Sequence, residues 1–234
     1  GPQHFSAGTT RLTAMLLVLS VASLAIPTLA TEPGAPDFGH ADNLSTVVAV
    51  VLLIVFICSI PMAIRGSIGP SRNHHSANAH GWPLSASIVL LGVAGVGAAL
   101  VSDWFVAALR PAMASLGLSQ EFVGLVIVAI AGNAVENVVG ITAAARNEAD
   151  LAVSLILNSS LQVALLLIPV LVLISMVLGG PVLTLVAPTL LIAALGLASI
   201  LGAMIIFDGE SNYVEGAALI GLYLIIAASV WFGP

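Results

Sequence analysis

The residues with the most chemistry to offer are Gly132-Asn133-Ala134-Val135-Glu136-Asn137, a polar hexapeptide set inside an apolar run from about Phe122 to Ala145. A carboxylate at mid-bilayer depth costs several kcal/mol unless it is paired, protonated or coordinating an ion. Asn133, Glu136, Asn137 and Gly140 recur at the three- and four-residue steps that share one helical face, so two amide oxygens flank the carboxylate. That face offers hard oxygen ligands to a cation, with Glu136 as the charged one. The same spacing suits a Glu–Asn hydrogen-bonded latch joining two helices, since polar side chains serve as interhelical glue. Spacing alone leaves both readings open.

A second stripe follows in Asn158-Ser159-Ser160-Leu161-Gln162, where Ser154, Asn158 and Gln162 are spaced by four. The short turn from Arg146 to Asp150 makes the two helices antiparallel neighbours. Glu136 lies about ten residues before that turn and Gln162 about twelve after it, which at ~1.5 Å per residue gives them similar depth. A plain amphipathic seam would also produce such stripes, but it would not require a carboxylate.

Composition sets the elements that must hold these residues. With 59% hydrophobic and 7% charged residues and a mean hydropathy of +1.16, the 234-residue chain is far from a soluble domain, in which about a quarter of residues are charged. It reads as an all-α, multi-span membrane protein. The formal charge of −6 comes from 11 acids against five arginines and no lysine, and several acids lie in or beside apolar runs, so it says nothing of the surface. The single Cys58 permits no intrachain disulfide and reads as a small buried hydrophobe. The chain begins Gly1-Pro2-Gln3 without Met, which points to a processed or cut N-terminus.

Seven stretches can cross about 30 Å of hydrocarbon, near residues 12–30, 44–64, 84–115, 119–145, 151–178, 182–206 and 213–232. The first has Arg11 ahead of it and Thr28-Leu29-Ala30 behind it, but it is too long for a signal-peptide core and a second span follows at once. Pro27, Pro61, Pro169 and Pro188 mark expected kinks, and the small residues between Gly92 and Ala99 allow close helix approach. If the segment before Leu12 is cytoplasmic, that side receives Arg11, Arg65, Arg72 and Arg146 against Arg110 alone on the other, which is the bias expected of cytoplasmic loops.

The polar interval 65–83, with His74, His75 and His80, reads as a solvated cytoplasmic linker between two plain helices (1–64) and a five-helix segment (84–234) that holds nearly all the buried polar residues. Asp103 is expected at the outer interface, Glu121 in the first turn of its helix, and Asp208, Glu210 and Glu215 around the turn before the last one. Asp103 and Glu215 are candidate ion-access positions at the two mouths. No His-Glu-x-x-His and no nucleophile with a base point to an enzyme.

Three linked motifs carry a resemblance. Glu121-Phe-Val-Gly-Leu-Val-Ile-Val-Ala-Ile-Ala-Gly-Asn-Ala-Val-Glu136-Asn137, then Asn158-Ser-Ser-Leu-Gln162-Val, then Asp208-Gly-Glu-Ser-Asn-Tyr-Val-Glu215-Gly resemble the C-terminal half of calcium/proton exchangers, within the cation/calcium exchanger superfamily. The resemblance covers residues 84 to 233, and the two preceding helices fit the end of the family's N-terminal half. It implies two inverted five-helix repeats, each with a Gly-Asn-x-x-Glu motif on a broken helix, and calcium between the two glutamates. On that pattern Glu136 and Asn133, with Ser159 and Gln162 beside them, supply half of a cation site, and Asn137 on the same face is a further candidate ligand. The sequence departs at Asn137, where His is usual, and at Asn158, where Gly is usual; the first bears on proton handling and ion preference, the second on close helix approach.

It also has no second Gly-Asn-x-x-Glu, so the chain is expected to be the distal part of an exchanger. The expected activity is calcium/proton antiport, with ion and proton competing at Glu136, no cofactor, and a bacterial inner-membrane location. The missing repeat or a second copy is the expected partner. The alternatives are a half-size exchanger that pairs with itself, or a membrane scaffold without transport.

Overall fold

The computed structural model describes residues 3–35, 37–67 and 83–231. The linker histidines His74, His75 and His80, together with Arg72, fall outside the described residues, and of Arg65 only the backbone is described. The helices are α1 (Ala7–Ala30), α2 (Ala41–Ser67), α3 (Leu84–Leu116), α4 (Gln120–Gly132), α5 (Ala134–Ala145), α6 (Ala149–Val177), α7 (Thr189–Ile205) and α8 (Tyr213–Trp231). Five are long and apolar enough to cross a membrane singly, and the pair α4 and α5 passes the same test as one broken span. Two short strands, β1 (Gln3–His4) and β2 (Glu210–Ser211), pair antiparallel with Gln3 opposite Ser211. The protein is therefore a multi-pass helical membrane protein.

The chain divides into two compact units, residues 1–67 with 131–226, and residues 68–130 with 227–234. In the first, α6 is the central helix and packs against α1, α2 and α5, while α1 also packs against α7. Leu24, Val48, Leu52, Leu161, Ala164 and Leu165 form one core cluster, and Phe5, Ala14, Ala149, Leu157, Ile205 and Ile206 another. Both lie along α6, whose Leu165, Val172 and Pro169 are among the most deeply buried side chains. Cys58, expected to be buried, is exposed on α2.

Polar ends sort into two groups that match alternating helix directions. At one end Ser6 N–H donates to the Asp150 carboxylate, Gln3 Nε2 to Asn147 Oδ1 (3.2 Å), and Arg11 Nε to the Phe207 carbonyl (2.6 Å), with the guanidinium over the Phe207 ring. At the other, Thr189 Oγ1 donates to Glu32 Oε1 (2.9 Å).

The apolar stretch expected as a helix from 182 is irregular up to Pro188, and α7 starts only at Thr189. Pro181 and Pro188 bracket it, and proline removes a backbone donor and disfavours helix at the residue before it. Such a stretch survives in an apolar setting only if its amides and carbonyls find partners. Here side-chain hydroxyls supply them: Leu183 N–H donates to Ser175 Oγ (2.8 Å), Leu185 N–H to Ser45 Oγ (2.9 Å) and Ala187 N–H to Thr28 Oγ1 (3.0 Å), which in turn donates to the Leu185 carbonyl (3.3 Å). Thr28 and Ser45 are buried, which fits this role.

The second unit is built differently. α3 has no buried residue over its 33 positions, while the start of α4 is fastened to the end of α8 by the Ser119 hydroxyl donating to the Val230 carbonyl (2.7 Å) and by Phe122 edge-on to Trp231, ring centroids 4.5 Å apart.

Candidate functional site

The span expected over 119–145 is interrupted at Asn133, whose backbone (φ −104°, ψ 20°) leaves the helical region for the sparsely occupied bridge between helix and strand. The Asn133 carbonyl accepts from Asn137 N–H at 2.9 Å, so α5 starts directly after the break. Glu136 consequently sits in the first turn of a helix, where the macrodipole favours a negative charge without any basic partner. It is half-buried, while Asn133 and Asn137 are exposed. Its carboxylate makes no hydrogen bond or ion pair among the described residues. The interhelical Glu–Asn latch is thus not formed here.

Register between α5 and α6 follows from one contact. A Cβ on the buried Gly140 would lie 3.6 Å from Ile156 Cδ1, so these two positions are level. In an antiparallel pair, four residues before Gly140 match four after Ile156, which sets Glu136 beside Ser160 and within about 3 Å of the depth of Ser159 and Gln162. Ser159 is half-buried and Gln162 and Asn158 are exposed, whereas Leu157 and Leu161 turn into the core. Asn133, Glu136, Asn137, Ser159 and Gln162 therefore gather on two adjacent helices at one level, with one carboxylate among amides and hydroxyls. No group of three His, Cys, Asp or Glu side chains forms among the described residues.

The other acids take ordinary positions. Glu215 closes a reciprocal cap on α8: its Oε2 accepts from Asn212 N–H (2.9 Å), and Asn212 Oδ1 accepts from Val214 and Glu215 N–H (2.9 and 3.2 Å). Asp208 accepts from Glu210 N–H, and Glu210 lies 3.3 Å from His4 Nδ1. Asp103 is exposed on α3, in the second unit. Glu121 is in the first turn of α4, whose N-cap Ser119 accepts from Phe122 N–H at 3.0 Å.

Two features beside the motif went unread in the sequence. α4 contains a π turn at Val123–Val128, shortly before the break, and α6 contains one at Val163–Leu167, directly after Gln162. Such turns widen the helix locally and recur at functional sites. The second has a visible cause in Pro169, whose ring would clash with a carbonyl four residues back in a regular helix. The first has no residue type to announce it.

The model of the family described as sodium/calcium exchanger protein matches residues 86–232, a stretch that takes in the break and the whole of α6. The chain belongs to this exchanger family. It is 31% identical over 257 residues to a Ca(2+)/H(+) antiporter of Synechocystis, covering 99% of this chain and 67% of that protein. It is 30% identical to a vacuolar calcium ion transporter of Schizosaccharomyces pombe, covering 94% of this chain and 55% of that one. The solved structure of native YfkE superimposes with a TM-score of 0.80 at 25% identity, over 99% of this chain and 66% of its own. The exchanger chain thus spans between about half and two thirds of the length of these relatives. The family is one of exchangers, not of enzymes.

Proposed function

We propose that this chain is the distal part of a calcium/proton antiporter and contributes half of its ion site. The observation that carries the reading is Glu136: a half-buried carboxylate without a partner among the described residues, at the start of a helix broken at Asn133, level with Ser159 and Gln162. Asn133, Asn137, Ser159 and Gln162 would add neutral oxygens. Calcium takes six to eight oxygen ligands, including ionised carboxylates, and it binds carboxylates only in their deprotonated form. A proton and a calcium ion therefore exclude one another at Glu136, and movement of the site between the two membrane faces in each form gives antiport.

A single carboxylate with amides is a sparse site for a divalent cation, which supports a second acidic contribution from outside this chain. The first half of the exchanger, of which α1 and α2 would be the end, is the proposed source. The names of the Synechocystis and S. pombe relatives support calcium as the cargo. The bacterial plasma membrane is the proposed location.

The test is 45Ca uptake into proteoliposomes with an imposed pH gradient, for the chain alone and for the chain joined to the missing first half, each with and without Glu136→Gln. Gradient-driven uptake that needs the first half and vanishes in the variant is the expected result. Uptake by the chain alone, lost in the variant, would favour two copies pairing. Uptake unaffected by Glu136→Gln would remove Glu136 from the site, and no uptake in any form would leave a scaffold.

A further inference from the structure

The second unit contains a cation that the exchange reaction does not use. Arg110 is exposed in the last two turns of α3 and, among the described residues, makes no ion pair or hydrogen bond. It stands at the edge of a groove of about 860 Å³ between α3 and α4. The walls are Val106, Met113, Val123 and Val128, and Gln120 is the other polar side chain beside Arg110.

The groove has a structural origin. Gly117, at φ 65°, ends α3 in a left-handed turn, with Leu118 N–H donating to the Met113 carbonyl at 3.1 Å. Three residues later α4 begins, and its first turn is fastened to Val230 and Trp231 rather than to α3. The two helices share a turn and little else, so an apolar cleft opens between them.

Depth identifies what fills it. Arg110 is 26 residues beyond Leu84, about 39 Å along the helix, whereas the hydrocarbon core is about 30 Å thick. A span that starts near Leu84 thus leaves the hydrocarbon around Asp103 and the exposed Trp104, the kind of aromatic that marks the interface. Arg110 then lies at headgroup level, and Val106, about 33 Å along the helix from Leu84, lies at the edge of the hydrocarbon for a helix with the usual tilt of about 20°.

We infer that this cleft binds an anionic phospholipid, the phosphodiester held by the Arg110 guanidinium and the Gln120 amide and an acyl chain laid along Val106, Val123 and Val128. The guanidinium fork suits phosphate oxygens, and the start of α4 adds the positive end of a helix dipole. Glu121, exposed in that same first turn, and Asp103, two turns before Arg110, disfavour more negative charge. They select a headgroup with one net charge, such as phosphatidylglycerol, over a multiply charged one.

The experiment is native mass spectrometry of the purified 234-residue chain in mild detergent, titrated with phosphatidylglycerol or phosphatidylcholine. One phosphatidylglycerol is expected per chain, held about fivefold more tightly than phosphatidylcholine, the contribution of one basic residue at an anionic headgroup. Arg110→Gln should bring the two lipids to equal affinity with helicity unchanged by circular dichroism, while Arg146→Gln keeps the preference. Equal affinities in the unaltered chain, or a preference that survives Arg110→Gln, would overturn the site. So would displacement of the lipid by inorganic phosphate, which marks a simple anion site, or a two-chain species that excludes lipid, which gives the cleft to a second copy.

Discussion

Two interruptions of apolar sequence, one before α5 and one before α7, sit in the same unit and are treated in opposite ways. Ahead of α7, residues 182–188 are not helical, and hydroxyls from Thr28, Ser45 and Ser175 accept from three of their amides, those of Leu183, Leu185 and Ala187. At the break before α5, Glu136 lies at the level of four amide- or hydroxyl-bearing residues, Asn133, Asn137, Ser159 and Gln162, and none of them bonds to it. The first interruption is stitched shut by the chain itself. In the second, the Glu136 carboxylate has no hydrogen bond or ion pair among the described residues, as the proposed ligand role requires. A polar group in an apolar bundle is thus informative less by its presence than by whether a neighbour already answers it.

Substitution separates the two kinds most sharply at Glu136. Glu136→Gln is isosteric and breaks no hydrogen bond within the described residues, so the melting temperature in detergent should stay within a few degrees. Calcium uptake by the completed exchanger should fall at least about tenfold, since calcium affinity follows the charge of its ligands. A large loss of stability with uptake retained would reverse the assignment and make Glu136 structural.

Thr28→Val and Ser45→Val should give the opposite pattern. Each leaves the amide of half-buried Leu185 or Ala187 without its acceptor, which costs about 1 kcal/mol. Thermal unfolding should start several degrees lower, and uptake per folded molecule should be unchanged. Loss of uptake without loss of stability would mean that the irregular stretch moves during transport, and the contrast between the two interruptions would fail.

This contrast also explains what could be read from the sequence. Glu136 and its amides were legible because polar residues inside an apolar run are rare and their three- and four-residue steps name a face. The similar depth of Glu136 and Gln162 followed from the short turn between α5 and α6, which left little freedom in register. The late start of α7 was not legible, because the residues that replace its first turns are Thr28 and Ser45, more than 135 positions away in the chain. Hydropathy counts residues 182–188 as one more piece of helix. The strand pairing of Gln3 with Ser211 is invisible for the same reason. Asn212-x-x-Glu215 was the reverse case: the spacing of a reciprocal helix cap was present, but the acidic surroundings drew attention to charge.

Glu215 sharpens the comparison on a smaller scale. Glu215→Ala removes the acceptor for Asn212 N–H and should cost about 1 kcal/mol, whereas Glu215→Gln keeps the cap and removes only the charge. If the residue is a cap alone, the apparent KM for calcium in Glu215→Gln should match that of the unaltered exchanger. A raised KM with unaltered melting would give this carboxylate a part in gathering ions at the mouth.

The smallest effect is expected of Gly140→Ala, and its smallness is what makes it useful. An added Cβ would meet Ile156 Cδ1 at 3.6 Å, an ordinary contact, and helix propensity favours alanine by up to ~1 kcal/mol. Gly140→Ala should therefore be neutral or slightly stabilising, with α5 and α6 in unaltered register. Gly140→Leu has no room at the same point and should cost about 1–3 kcal/mol through overpacking. Because Gly140 is one turn from Glu136, the larger side chain would also push Glu136 away from Ser159 and Gln162. A graded loss of calcium affinity from glycine to alanine to leucine, larger than the loss of stability at each step, would show that the spacing of the two helices sets the site, and not the mere presence of its oxygens.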